Sequence, residues 1–183
     1  MNLGAPALRG VLGPLFVGHG TQKLFGWFGG HGPEATGQFF ENLGLKPGIK
    51  HARAAGAAEA GGGALLTLGL FTPAAAAAII GVMSTAIRTV HLNNGPWVTD
   101  NGYEYPLALI TTMVALADLG PGEVSLDHRF GTEVKGPLVA LLALAAGVGG
   151  AAMATRSSEA EPSGAAAVPG DPASAAEQPA VAA

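Results

Sequence analysis

The chain contains no cysteine. Disulfides, thiol catalysis, cysteine-ligated iron–sulfur clusters and zinc ribbons are therefore excluded. Any redox role would need a quinone, a flavin, haem or the thiols of a partner. Charge is scarce as well. Only 12% of the 183 residues are Asp, Glu, Lys or Arg, about half the share of an ordinary soluble domain. No Lys/Arg cluster marks a phosphate-tracking surface, so nucleic acid is not expected as a partner. Aromatics are few, at 6%, and the apolar content is mostly Ala, Leu, Gly and Val. That mixture suits closely packed helices better than a β-sandwich. The opening MNLGAPALRG holds one Arg and no small-residue cleavage site, so a retained first helix is expected there rather than a signal peptide.

What the chain does have is long apolar stretches, at residues 6–28, 52–71, 72–92, 103–119 and 137–155. Each is near the roughly 20 residues that an α-helix needs to cross a hydrocarbon core, the fourth lying at the lower limit. A mean hydropathy of only +0.37 speaks against a membrane protein. However, residues 156–183, RSSEAEPSGAAAVPGDPASAAEQPAVAA, lower that average and cannot bury a core. The expected fold class is an all-α integral membrane protein. Residues 1–130 would form a four-helix transmembrane bundle, 131–155 a fifth C-terminal apolar helix, and 156–183 a disordered Ala/Pro/Ser/Glu-rich tail. Between the first two spans, GGHGPEATGQFFENLGLKPGIKH admits two readings. One is a short interfacial helix starting at Pro33, with Phe39, Phe40 and Leu43 on one side. The other is a loop whose aromatics pack on the bundle.

Polar residues inside the spans carry the functional signal. With the spans crossing in alternation, depths can be measured from the face that holds LFTPA, at 1.5 Å per residue. His19 and Glu59 then lie at roughly 17–18 Å, Lys23, Arg88 and Glu104 at roughly 22 Å, and His91 near the boundary. All strongly polar groups of the first four spans would share one half of the bilayer. Their angular positions agree: His19, Gln22 and Lys23 share one helix face, and so do Ser84, Arg88 and His91. Glu59 has Gly56, Gly62 and Gly63 on its own face, which lets another helix approach. Isolated charges at that depth cost at least a few kcal/mol, so these groups should face inward and pair. The candidate pocket comprises His19, Gln22, Lys23, Glu59, Arg88, His91, Glu104 and Tyr105. It reads either as a functional site or as a latch that fixes helix register.

The blocks LRGVLGPLFVGHGTQKLFG, FFENLGLKPG, EAGGGALLTLGLFTPAAA, NNGPWVTDNGYEYPLALI and DLGPGEVSLD, in that order across residues 8–130, resemble the DoxX family. That resemblance implies a small bacterial or archaeal membrane protein with a four-helix core, and hence a multi-pass protein of the bacterial plasma membrane. The family takes its name from a subunit associated with a quinone-linked thiosulfate-oxidising terminal oxidase system, and some members partner membrane-associated redox proteins. By resemblance, Gly18-His19-Gly20, Gln22-Lys23, Glu59 and Gly102 to Pro106 occupy its recurrent positions. After residue 130 the sequence departs from the pattern.

The leading expectation is a redox-complex subunit that binds a quinone or similar amphipathic molecule at the polar cluster. A small-solute or proton carrier, and a ligand-free scaffold, are the alternatives. The half near LFTPAAAAAIIG has almost no ionisable groups, which weighs against conduction. Haem held by His19 and His91 is disfavoured by their differing depths, and no protein metal site is expected. Asp127-His128 reads as a surface pair, with His31 and His51 solvated. Beyond the lipid bilayer, expected partners are membrane or membrane-associated redox proteins and a second copy of the chain. Orientation stays open. Arg9, Arg129 and Lys135 lie on one side against six Lys/Arg on the other, or four once Lys23 and Arg88 are taken as bundle-facing, too even for the positive-inside rule.

Overall fold

The computed structural model describes residues 3–160, and the expected tail falls for the most part outside them, at 161–183. Among the described residues the chain is wholly helical. Its α-helices are α1 (Gly4–Phe25), α2 (Gly32–Asn42), α3 (Gly48–Leu68), α4 (Thr72–Ala86), α5 (Glu104–Leu119), α6 (Leu126–Phe130) and α7 (Pro137–Ala160). Their ends follow from local chemistry. Gly26 and Gly69 adopt the left-handed conformation that closes α1 and α3, each returning its N–H to a carbonyl of the last turn. Glu41 Oε1 accepts the Gly48 N–H at 3.0 Å, satisfying a donor that opens α3. The α4 helix does not end cleanly at Ala86: a π-helical turn, Ile87–His91, continues it into a short 3₁₀ segment, Leu92–Asn94.

Five long helices thus stand at the five apolar stretches, and α2 resolves the choice between helix and loop in favour of a helix. It packs on the start of α3, where Gly37 meets Gly48 and Ile49, while Phe39 remains exposed. Apolarity is less uniform than helicity. Among the described residues, only Thr72–Asn94 and Pro137–Arg156 are long and apolar enough to cross a membrane, with mean hydropathies of 1.5 and 2.0. The reason is compositional. The α3 helix starts four residues before its apolar stretch and takes in Lys50 and Arg53, α1 carries Arg9 and Lys23, and α5 has 16 residues.

Helices α1 and α3 run antiparallel at very short range. A Cβ at Gly13 would fall on Gly63 and Thr67, and one at Gly20 on Gly56 and Ala60. The α3 and α4 helices form a hairpin, α5 packs on α4, and α7 lies against α4 and α5. Phe16, Leu66, Ile79, Ile80, Met113, Leu116 and Ala143 form the core between them. The bundle has two ends. One, the His19 end, gathers the end of α1, all of α2, the start of α3, the end of α4 and the start of α5. The other, the Arg9 end, holds the opposite termini together with α6.

Candidate functional site

The close α1–α3 contact decides the geometry at the His19 end. Because glycines replace side chains at the contact, Lys23 reaches across to Glu59, and Nζ lies 2.5 Å from Oε2. Glu59 is buried, at 3% exposure. A buried carboxylate is costly unless paired, so this ion pair is what allows the group to sit there.

Two histidines flank the pair. Gln22 Nε2 donates to Phe28 O at 3.3 Å, which turns its Oε1 toward His19 Nδ1 at 3.2 Å. Oε1 can only accept, so His19 Nδ1 donates. His91 Nδ1 lies 2.7 Å from the carbonyl oxygen of Asn101 and donates by the same reasoning. Each neutral imidazole then keeps Nε2 as an acceptor.

A cavity of about 300 Å³ opens between α1, α3, α4 and α5, and His19, Lys23, Glu59, His91 and Tyr105 line it together with Phe16. Val98, Asn101 and Gly102 of the α4–α5 connection close one side. That volume is at the lower end of small-molecule sites. Tyr105 is otherwise exposed.

The remaining three candidates do not reach this cavity. Gln22 holds His19 in place but lines a shallow groove between α1 and α3. Glu104 Oε1 accepts the Val98 N–H at 2.7 Å and so staples the α4–α5 connection. Arg88 is exposed, and among the described residues it has no ion pair with Glu59 or Glu104. The expected four-charge cluster is thus a single pair. The π turn explains the difference: its i→i+5 spacing adds a residue to the turn, so Arg88 and His91 do not share a face as they would in a regular helix.

The Arg9 end corrects two further expectations. It is not poor in ionisable groups where they are buried. Arg9, 4% exposed, donates Nε to Leu66 O at 2.9 Å, Nη2 to Thr67 O at 3.1 Å, and Nη1 to Val124 O at 3.0 Å and to Pro121 O. Nor is Asp127 a surface residue, at 1% exposure. It accepts the N–H groups of Phe71 and Thr72 at 2.9 and 3.0 Å, and the hydroxyls of Thr72 and Thr132 at 2.9 and 3.2 Å. Burial alone would raise its carboxyl, but these hydrogen bonds outweigh burial and hold it below the usual range. A cation thus meets the carbonyl end of α3 and an anion the N–H end of α4, as the helix dipoles favour. In the sequence Thr72 ahead of Pro73 reads as a local cap, whereas in the structure Phe71 stands at the cap position without a side-chain cap and Asp127 takes that role. His128 is exposed as expected, lying 3.2 Å from Glu133. His31 is exposed too, but His51 is half-buried in a second cavity.

Among the described residues, no group of three or more His, Asp and Glu side chains could hold a metal ion. Residues 4–92 match the DoxX family model. A protein of Haemophilus influenzae, described only as uncharacterized, is 36% identical over 63 residues, which are 34% of this chain and 42% of that protein. The match therefore spans less than half of that relative's length. No solved structure matches.

Proposed function

Because residues 4–92 of this chain belong to the DoxX family, a membrane family, we propose that it is a multi-pass plasma-membrane subunit of a redox complex. In this reading it binds a quinone, or a similar carbonyl-bearing amphiphile, in the cavity at the His19 end. The single observation that carries the reading is the convergence of His19, Lys23, Glu59, His91 and Tyr105, from four helices, on one cavity of about 300 Å³. Two features of the exterior support the membrane setting. Leu8, Val11, Leu15, Leu107, Leu141 and Leu142 are all exposed, an apolar surface that soluble monomers rarely show. Trp27, Phe28 and Trp97 stand exposed at the His19 end, where an aromatic belt would sit.

The residues present fit such a ligand. A lysine ammonium has three donors and Glu59 engages one, which leaves donors for a carbonyl oxygen. The Tyr105 phenol can donate a second. Phe16, Met83 and Leu109 supply apolar contact for a ring. Glu59 and the imidazole Nε2 atoms are the groups able to hold a proton beside it. A bound quinone would bring carbonyls that take up electrons and protons.

Binding of a short-chain quinone to the full chain in lipid nanodiscs, followed by calorimetry, tests the reading. Lys23→Met should weaken binding about tenfold or more, as expected for one lost charge-assisted hydrogen bond. Lys23→Met leaves Glu59 unpaired, so the double variant Lys23→Met/Glu59→Gln serves as the control for folding. Unchanged affinity in the folded double variant would remove the proposal.

A further inference from the structure

Lys23 and Glu59 also line a second and larger cavity, a groove of about 600 Å³ between α2, α3, α4 and α7. Met83 and Ala86 line both as well, so the two cavities adjoin at these four residues. The groove is walled mainly by Ala and Gly of α3, α4 and α7, with Phe39, Phe40 and Leu43 at its α2 side. Its hydroxyls are already engaged: Thr85 Oγ1 donates to Gly81 O and Thr89 Oγ1 to Thr85 O, both at 2.9 Å. What the groove offers a guest is mostly hydrocarbon surface, with the Lys23–Glu59 pair and the His51 imidazole as its ionisable lining.

Small residues usually let helices close together, as α1 and α3 do. The α7 helix packs closely on α4 but not on α3. It meets α4 at Gly147, where a Cβ would strike Ile80 and the Ala77 carbonyl. Beyond that contact the space beside Ala54 and Ala146 stays open. Because Ala54 and Ala146 are exposed, the groove opens to the exterior, and in a bilayer apolar matter rather than water would fill it.

We propose that this groove seats the hydrocarbon chain of the same ligand whose polar head lies in the cavity at the His19 end. The occupant is thus a long-chain amphiphile, isoprenoid or acyl, whose oxygen acceptor meets Lys23 and whose chain runs between α3, α4 and α7. This rests on the preceding reading and narrows it: the site selects for a tail and not only for a ring. A partner helix lying in the groove would leave binding indifferent to the ligand's chain length.

The test compares a tail-less benzoquinone with its decyl-chain homologue, both bound to the full chain in nanodiscs of one lipid composition. Ala54→Phe and Ala146→Phe narrow the groove from exposed positions that do not line the first cavity. With concentrations corrected for partition into empty nanodiscs of the same lipid, wild type should bind the decyl compound severalfold tighter than the tail-less one, a gain from packing contacts and not from transfer out of water. Each Phe variant should lose that preference and keep its affinity for the tail-less probe. Equal affinity for both probes in wild type, or a preference that survives both Phe variants, overturns the groove assignment and leaves the first cavity standing. Loss of tail-less binding in the variants would also overturn it, since groove and cavity would not then be separate seats. Failure of wild type to bind the tail-less probe would overturn the reading on which the assignment rests.

Discussion

Asp127 caps α4 from 55 residues downstream of Thr72, taking the place of the local Ser, Thr, Asp or Asn that usually satisfies the first N–H groups of a helix. Its stabilising effect has a defined pH window. The folded-state carboxyl lies below its ordinary value, so its contribution is complete above the ordinary carboxylate range near about 4. The contribution is lost as pH falls through the lower, folded value. Asp127→Asn should cost about 1–2 kcal/mol at neutral pH, the range for a lost helix cap. In detergent, the Tm difference between wild type and variant should shrink as pH drops from about 5 to about 3. A difference that stays constant across that range would refute the role given to the carboxylate. Arg9 at the same end lies in a helix beside four backbone carbonyls. It was legible only as a single N-terminal cation, because its acceptors are backbone atoms of residues more than fifty positions away.

Between helices, what matters is which glycine is touched. Gly18 and Gly20 both stand in the GHG run of α1, yet nothing lies within 4 Å of a Cβ built at Gly18, whereas one at Gly20 would strike the backbone of Gly56 and Ala60. Gly18→Ala should therefore leave stability unchanged or raise it by about 0.5–1 kcal/mol through helix propensity. Gly20→Ala should lower it by about 1–3 kcal/mol, as overpacking does. It should also push α1 from α3 and loosen the Lys23–Glu59 pair. Thermal denaturation of the two variants checks this, and equal effects would mean that α1 and α3 are not in close contact. The helical periodicity of His19, Gln22 and Lys23 could be read from the chain because i, i+3 and i+4 positions share a face. Arg88 and His91 could not be placed that way, since the π turn between them breaks the period.

Taken as a whole, the molecule is asymmetric in charge. Lys46, Lys50, Arg53, Arg88 and Arg156 are exposed toward the His19 end, against Arg129 and Lys135 at the Arg9 end. Counting residues along the chain left this balance even. The structure shifts it by burying Arg9 among carbonyls and turning Arg88 outward. If the bundle spans the bilayer as proposed, the positive-inside rule puts the His19 end, and with it the cavity proposed to hold the ligand, on the cytoplasmic side. A cysteine-free chain makes this directly measurable. In intact cells a membrane-impermeant maleimide should label Glu123→Cys, whereas Glu34→Cys should react only after lysis. The opposite pattern would reverse the orientation.

Sequence by itself determined the helical character, the five apolar stretches and the nearness of His19, Lys23 and Glu59 in depth, because helix period and rise are local properties of the chain. Tertiary structure alone decided which charges pair, where Arg88 points, how α4 is capped and that a groove stays open beside α7. Each of those outcomes depends on backbone groups and side-chain volumes that meet across long sequence separations, and no local periodicity encodes them.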